Sequence, residues 1–423
     1  METSFLRLIF RGDKVLWVCY GVLFIASLFI TFSALTPLAI RVDSTAGPIV
    51  NHLMMIILGA MLIAMMQMAS FPLLRFIGHI VFLVGLFGVA YVKIKGAGVG
   101  DASRHTSLGQ PSELLLLGLI LECASFFNRF SVDRKTEDRY YKYIFGAIIF
   151  CVCMIALDNL STALLSLVVV IAMMFVGGIK IKRIGGFFVV LIILFAIVMT
   201  IPFAVPKPVF DEYAKKFTVV SAVRRTYTWK ERILRFGEEK TVDEEEKDKY
   251  IIDTENPQSA DAKIAICRGG WYPHGPSSSQ QRYHLAEAYS DYIFSIAAEE
   301  LGFFISTMLM LVYLAVFWRA VRIAFHEKKM YRILLVTGCA VLIVTQAAVH
   351  IAVSVGAIPV TGQPLPLISK GGSSIIVISA CFGVIAKISA EQNAENVPSK
   401  SEEPSKPEEP IEEAEEPQKP DEK

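Results

Sequence analysis

An aspartate stands where a long polar stretch of the chain gives way to an apolar one. Asp291 lies in the run HLAEAYSDYIF (residues 284–294), with Glu287 four residues before it and Glu299 and Glu300 after it. In a helix, Glu287 and Asp291 would share a face. A carboxylate at such an edge, backed by others, suits a general base or a ligand for a divalent cation. A carboxylate that only complements a helix dipole is the alternative.

A second cluster combines prolines, glycines and serines. Residues 356–374 read GAIPVTGQPLPLISKGGSS, and three prolines with four glycines predict irregular backbone that lines a cavity. The free N–H groups where this cluster opens the last apolar run favour a phosphate. The candidate binding residues are Thr361, Gly362, Ser369, Lys370, Gly371, Gly372, Ser373 and Ser374. A purely structural re-entrant loop is the alternative interpretation.

A third cluster, residues 103–113, opens an earlier apolar run. Gln110, Ser112 and Glu113 place polar side chains at the predicted helix start, and Arg104 is available to an anionic head group. A plain helix cap would explain the same residues.

The elements that position these clusters are membrane spans. Of 423 residues, 54% are hydrophobic and only 19% are charged, which excludes a secreted enzyme, a cytosolic dehydrogenase and a nucleic-acid-binding domain. Apolar runs of about 20 residues match the length of a membrane-spanning helix. We predict an all-α polytopic membrane protein with ten spans, at residues 15–34, 49–70, 74–91, 113–127, 143–157, 160–176, 187–203, 292–317, 333–355 and 374–390.

The loops predict the orientation of these spans. Lysine and arginine concentrate in alternate short loops, which places those loops and both termini in the cytoplasm. All three clusters then face outward, an arrangement that suits an anionic lipid-linked substrate. The longest loop, about residues 204–291, is extracytoplasmic and carries a predicted amphipathic helix at residues 210–236, with Arg224 and Arg225 among its basic residues.

The C-terminal residues and the cysteines predict little chemistry. Residues 391–423 contain 12 acidic residues and 4 lysines and are rich in proline, so we predict a disordered cytoplasmic tail after a membrane domain of residues 1–390. The tail is either a plain solvated segment or a docking segment for a cytoplasmic partner. Of the seven cysteines only Cys267 lies in a polar stretch, which argues against a disulfide framework.

The three clusters together resemble the SEDS family (shape, elongation, division and sporulation), most closely its division branch. The resemblance rests on PVTGQPLPLISKGGSS (residues 359–374), on EAYSDYIF (287–294) with EELG (299–302), and on QPSE (110–113). The glycine-rich segment at residues 269–282, which precedes the Asp291 motif, also resembles the family. The likeness extends from the first span to about residue 390.

This resemblance implies a ten-helix SEDS-type fold and an inverting peptidoglycan glycosyltransferase. Such an enzyme polymerises lipid II into β-1,4 glycan at the outer face of the bacterial plasma membrane, with undecaprenyl pyrophosphate as the leaving group. Asp291 matches the essential acid, which acts directly or through Mg²⁺ or Mn²⁺, without an organic cofactor. The implied partners are lipid II, the nascent glycan strand, a class B penicillin-binding protein (an FtsI-like transpeptidase) and divisome proteins at the septum, with no nucleic acid.

The chain departs from the family pattern at several positions. Leu116 replaces a usual lysine, Asn159 a usual aspartate and Lys370 a usual aromatic residue, so Lys370 is a candidate substitute cation. A flippase of lipid-linked precursors is the main competing hypothesis, since polar residues in a ten-helix bundle also suit transport. The same sequence is compatible with an inactive scaffold and with an elongation-type polymerase like RodA.

Overall fold

The structure, a computed structural model, describes residues 11–41, 47–95, 110–210, 226–232, 234, 257–285 and 288–395. These residues form helices and connecting segments, with no β-strand among them. The helices are α1 Lys14–Arg41, α2 Gly47–Met68, α3 Phe71–Lys95, α4 Pro111–Val132, α5 Arg134–Asp158, α6 Leu160–Val176, α7 Ile181–Ala204, α8 Pro257–Arg268, α9 Ile293–His326, α10 Met330–Ser354 and α11 Gly372–Glu395. A short 3₁₀ helix, Gln281–Tyr283, precedes α9.

The ten predicted spans correspond in order to α1–α7 and α9–α11. Nine of these helices in the described part of the chain are long and apolar enough to cross a membrane, and α6 is a shorter apolar helix of 17 residues. Several begin earlier than predicted because polar residues extend them beyond the apolar run. At the start of α5, Asp133 accepts the backbone N–H of Lys135, and hydrogen bonds from Thr136 and Lys135 lower the pKa of the Asp133 carboxyl.

Three helices form the centre of the bundle. The apolar windows of α11, α4 and α10 are 89%, 67% and 61% buried, whereas the window of α7 is only 11% buried. A helix that is apolar on all sides is either buried in protein or surrounded by lipid. Here α11 and α7 illustrate the two outcomes, since α11 lies inside the bundle and α7 lies at its edge.

Glycines allow α3 and α4 to approach closely. A Cβ atom on Gly85 would lie 2.5 Å from the backbone N of Leu115, and one on Gly118 would lie 2.5 Å from Cα of Phe82. Small residues at crossing points let membrane helices make close van der Waals contact, which stabilises their association in lipid.

Helix α9 is interrupted near its start. Gly302 has φ +70° and ψ 177°, and these backbone angles are not helical. The backbone groups released by the break pair with the outer loop, our name for residues 269–285. The Phe303 N–H donates to the Gly270 carbonyl at 2.9 Å, and the Glu300 carbonyl accepts the His274 N–H at 2.9 Å. The break therefore anchors the outer loop to α9 without leaving these groups unpaired.

Ion pairs collect at one end of the bundle, here called the basic end. Arg332 at the start of α10 pairs with Glu327, Glu391 and Glu395. Asp13, before α1, pairs with Arg319 near the end of α9. These contacts bring the start of α1, the end of α9, the start of α10 and the end of α11 together, as the alternation of ten spans requires.

Two predicted features extend only partly into the described residues. Of the predicted amphipathic helix at 210–236, residues 226–232 are helical and residues 211–225, 233 and 235–236 lie outside the described residues. The last span continues as α11 to Glu395, beyond the predicted boundary at 390, and residues 396–423 lie outside the described residues.

Helix α8 was not predicted. All seven cysteines are free, and Cys267 is exposed.

Candidate active site

The chain between α10 and α11, residues 355–371, is here called the proline segment. It is not helical, and side chains from several helices bind its carbonyl groups. The donors and their acceptors are Ser161 to Thr361 (2.9 Å), His350 to Gln363 (2.7 Å), Gln346 to Pro364 (3.0 Å), Tyr313 to Pro366 (2.7 Å) and Thr31 to Ile368 (2.5 Å). Irregular backbone inside a membrane bundle is stable only when its polar groups are satisfied in this way.

Asp291 lies in a turn, residues 288–292, here called the aspartate turn. Tyr292 is the N-cap residue of α9, which begins at Ile293, so Asp291 is not in the helix in which it would share a face with Glu287. The Ser290 hydroxyl donates to Asp291 Oδ1 at 3.0 Å. A Cβ atom built on Gly362 would lie 3.6 Å from Asp291 Oδ2, so the carboxylate faces the backbone of the proline segment.

The aspartate turn and the proline segment are bonded to each other. The Lys370 N–H donates to the Tyr289 carbonyl at 2.9 Å, and the Ser369 hydroxyl donates to the Ser290 carbonyl at 2.8 Å. The Lys370 ammonium lies 5.0 Å from the centre of the Tyr289 ring. The predicted acid and the predicted phosphate-binding residues therefore occupy one site.

The third cluster also reaches this site. The Gln110 backbone N–H donates to the Ser373 hydroxyl at 3.1 Å, across the gap between the start of α4 and the start of α11. Gln110 makes no side-chain cap bond, which disfavours the plain-cap interpretation. Glu113 is 8% exposed, and its Oε2 has no hydrogen-bond partner among the residues that the structure describes.

Accessibility differs among the predicted binding residues. Gly372 is exposed, and Lys370 and Gly371 are partly exposed, at the N-terminal end of α11. Ser112 is fully buried, and Ser373 and Ser374 are nearly so. The Ser374 hydroxyl accepts a bond from Gln346 at 3.1 Å. The accessible residues of this cluster are thus Lys370, Gly371 and Gly372, while the side chains of Ser112, Ser373 and Ser374 are packed inside the bundle.

Glu299 and Glu300 do not join Asp291. Glu299 accepts the Ser279 hydroxyl and the backbone N–H groups of Gln280 (3.1 Å) and Gln281 (3.3 Å). Glu300 accepts the hydroxyl of Ser33 on α1 and the backbone N–H of Ser279 in the outer loop at 3.4 Å. Both carboxylates are buried and hold the outer loop against the bundle, so the expectation that they back Asp291 is wrong.

Four predicted binding residues lie outside the described residues: Arg104, Arg224, Arg225 and Glu287. A neighbour in the same predicted amphipathic helix is described. Arg232 donates from its guanidinium to the Val360 carbonyl at 3.0 Å, which ties this part of the long loop to the proline segment.

Sequence reasoning did not identify the side chains that hold the proline segment. Gln346 and His350 lie inside apolar spans, and a polar residue within a span is a signal for a buried contact. Gln363, inside the predicted cluster, donates to the Thr162 hydroxyl at 3.0 Å. A search restricted to charged residues overlooks all of these neutral groups.

The departures from the family pattern are accommodated by packing and capping. Leu116 is 3% exposed and lies in the apolar core. The Asn159 side chain accepts the Ser161 N–H at 3.0 Å and so caps α6, while the Ser161 hydroxyl binds the proline segment. Neither position leaves a charged group in the interior of the bundle.

The chain is similar to known proteins over most of its length. A family model described as cell cycle protein, for FtsW, RodA and SpoVE, matches residues 13–394. Stage V sporulation protein E of Bacillus subtilis is 34% identical over 146 residues, which are 33% of this chain and 40% of that protein. A probable peptidoglycan glycosyltransferase FtsW of Aliivibrio salmonicida is 24% identical over 410 residues, 92% of each chain.

A solved structure has a similar fold. One chain of the structure described as "Structural coordination of polymerization and crosslinking by a peptidoglycan synthase complex" has a TM-score of 0.62 and 21% identity, and covers 90% of this chain and 98% of that one. In four sequence relatives that are 34% to 37% identical, the alignment with this chain covers only 34% to 40% of the relative's own length.

Proposed function

Because the chain belongs to the FtsW, RodA and SpoVE family of cell cycle proteins, we propose that it is a peptidoglycan glycosyltransferase of cell division. It polymerises lipid II into β-1,4 glycan strands at the outer face of the bacterial plasma membrane. The observation that carries the proposal is the direct bonding of the aspartate turn to the proline segment, which places an acid beside a candidate phosphate site.

Asp291 is the proposed general base. Its Oδ1 accepts a hydrogen bond from the Ser290 hydroxyl, and its Oδ2 faces Gly362. A side chain at position 362 would reduce the space beside this carboxylate oxygen. Asp291 accepts the proton of the acceptor 4-hydroxyl as that oxygen attacks the anomeric carbon of the donor sugar. The bond from this carbon to undecaprenyl pyrophosphate breaks, and attack from the opposite face converts an α-linked donor into a β-linked product.

Lys370 and the start of α11 are the proposed site for the pyrophosphate. The ammonium supplies a positive charge, and the start of α11, where Gly372 is exposed, supplies backbone N–H groups and the positive end of the helix dipole. These groups stabilise the negative charge that develops on the leaving oxygen. The remaining predicted residues, including Arg104, Arg224, Arg225 and Glu287, stay predictions for binding the lipid-linked sugars.

A divalent cation, Mg²⁺ or Mn²⁺, is proposed as an aid to the same step. In the part of the chain that the structure describes, no group of three or more His, Cys, Asp or Glu side chains could hold a metal. A cation at Asp291 would therefore take most of its ligands from substrate phosphate and water, which is common for Mg²⁺. When bound, it supplies charge neutralisation of the pyrophosphate.

The proposed setting is the division septum. Both termini face the cytoplasm, where the basic end of the bundle lies, and the candidate site faces outward. We propose a class B penicillin-binding protein as the partner that crosslinks the product, together with other divisome proteins. The structural neighbour supports this pairing, because it belongs to a peptidoglycan synthase complex described as coordinating polymerization and crosslinking.

The test is polymerisation of lipid II by the purified protein with its cognate penicillin-binding protein and Mg²⁺ or Mn²⁺. Wild type should form glycan chains, whereas Asp291→Ala and the isosteric Asp291→Asn should lower the rate by about 10²–10⁴-fold, as expected for loss of a general base. Partner binding should be unchanged in both variants. If wild type with its partner bound makes no chains, the flippase and scaffold hypotheses replace the polymerase.

A further inference from the structure

One imidazole bridges the two segments that meet at the candidate site. His350, in α10, is fully buried. Its Nδ1 lies 2.7 Å from the Gln363 carbonyl oxygen, and its Nε2 lies 3.4 Å from the backbone N of Phe294. Gln363 directly follows Gly362, which faces the Asp291 carboxylate, and Phe294 is three residues after Asp291. The ring therefore contacts both sides of the site, and its two nitrogens bond backbone groups and not Asp291.

The two contacts define the tautomer and the protonation state of the His350 ring. A carbonyl only accepts and a backbone N–H only donates, so Nδ1 carries the proton and Nε2 accepts. The imidazole is neutral, and both of its nitrogens are used. Phe294 lies in the first turn of α9, where backbone N–H groups have no partner within the helix. His350 thus satisfies one such group at the position where the aspartate turn enters the membrane.

We propose that His350 is a positioning residue, which sets the separation between the Asp291 carboxylate and the proline segment. This inference rests on the proposed glycosyltransferase function. A base acts only when it is within hydrogen-bond reach of the acceptor hydroxyl, and small displacements cost large factors in rate. Loss of the bridge should therefore lower kcat and leave the binding of lipid II almost unchanged.

Three variants separate positioning from simple burial of a histidine. His350→Leu keeps the apolar volume and removes both contacts, whereas His350→Gln retains one donor and one acceptor. Thr337→Val is the control, because Thr337 lies in the same helix and its hydroxyl donates to the Ile333 carbonyl at 2.8 Å, within α10 and not to the candidate site. We expect kcat to fall about 10- to 100-fold in His350→Leu, with KM within about twofold of wild type. His350→Gln should recover most of the rate, and Thr337→Val should keep the wild-type kcat.

Hydrogen–deuterium exchange in nanodiscs gives a readout that does not depend on activity. Peptides covering residues 288–296 and 359–365 should exchange faster in His350→Leu, by about tenfold or more, and return towards wild type in His350→Gln. Unchanged exchange in His350→Leu would overturn the bridge, and faster exchange with an unchanged kcat would overturn the positioning role. If wild type does not polymerise lipid II, the proposed function fails, and the exchange data alone decide whether the bridge exists.

Discussion

At the scale of single residues, the candidate site contains an acid, Asp291, and also a cation, Lys370, that the family pattern does not contain. Lys370 replaces an aromatic residue in the pattern that this chain resembles, and its backbone N–H bonds the carbonyl of Tyr289 in the aspartate turn. Its ammonium lies over the Tyr289 ring, where the cation–π contact stabilises the charge beside the proposed pyrophosphate site. The backbone bond does not depend on the side chain, so substitutions of Lys370 change the ammonium and its ring contact and leave this bond in place.

We predict that Lys370→Ala weakens the binding of lipid-linked substrate. KM for lipid II should rise about tenfold, corresponding to a charge-assisted contact of about 1.5 kcal/mol, because the side chain supplies the ammonium near the phosphates. Lys370→Arg keeps the charge and should restore binding, and Lys370→Tyr restores the family residue without the charge. Steady-state polymerisation at varied lipid II measures this, and an unchanged KM in Lys370→Ala would remove Lys370 from the site.

At the scale of elements, the break in α9 connects the outer loop to the helix that follows Asp291. Gly302 adopts φ +70°, and a Cβ atom there would lie 2.6 Å from the Tyr272 carbonyl oxygen. Gly269 is equally restricted, since a Cβ atom there would lie 2.0 Å from the Ala298 carbonyl oxygen. Both glycines are required by close approach of two backbones, and the buried Glu299 and Glu300 complete the attachment.

We predict that Gly302→Ala destabilises the protein by about 1–3 kcal/mol, the usual cost of a strained backbone position, with the additional effect of the clash with Tyr272. Gly146→Ala is the control, because Gly146 lies within α5 with no atom within 4 Å of the added Cβ. That control should be neutral or slightly stabilising. Thermal unfolding in detergent, followed by fluorescence, measures both, and equal melting temperatures would contradict the structural role of Gly302.

At the scale of the whole molecule, one natural cysteine reports the orientation. Cys267, at the end of α8 in the long loop, is exposed, whereas five of the other six cysteines are buried and Cys153 is partly buried. Because the charge rule predicts that the long loop is extracytoplasmic, Cys267 should be accessible from outside the cell membrane. The other six cysteines lie within membrane-spanning helices, which protects them from a charged reagent.

We predict that a membrane-impermeant maleimide labels wild-type protein in spheroplasts and that Cys267→Ser abolishes this labelling. Inverted membrane vesicles should give little labelling until detergent is added, because Cys267 is then inside the vesicle. Labelling in inverted vesicles but not in spheroplasts would reverse the orientation. The candidate site would then face the cytoplasm, and this orientation would exclude a polymerase that acts at the outer face of the membrane.

Much of this protein follows from its sequence alone. Apolar runs of membrane-spanning length determine the number and order of the spans, because hydrocarbon accepts only helices whose backbone groups bond internally. Glycines, prolines and serines in residues 356–374 identify the irregular segment, since proline and glycine exclude a continuous helix there. These properties are local, so a single sequence contains them.

The tertiary structure alone decided which residues meet. Ser369 and Ser290 are 79 positions apart, and His350 and Phe294 are 56 positions apart, yet each pair is bonded. Periodicity describes one element at a time and carries no information on contacts across elements. The structure therefore separated Asp291, which faces the site, from Glu299 and Glu300, which have the same charge and hold the outer loop. The distinction depends on hydrogen-bond partners, and these exist only after the helices pack.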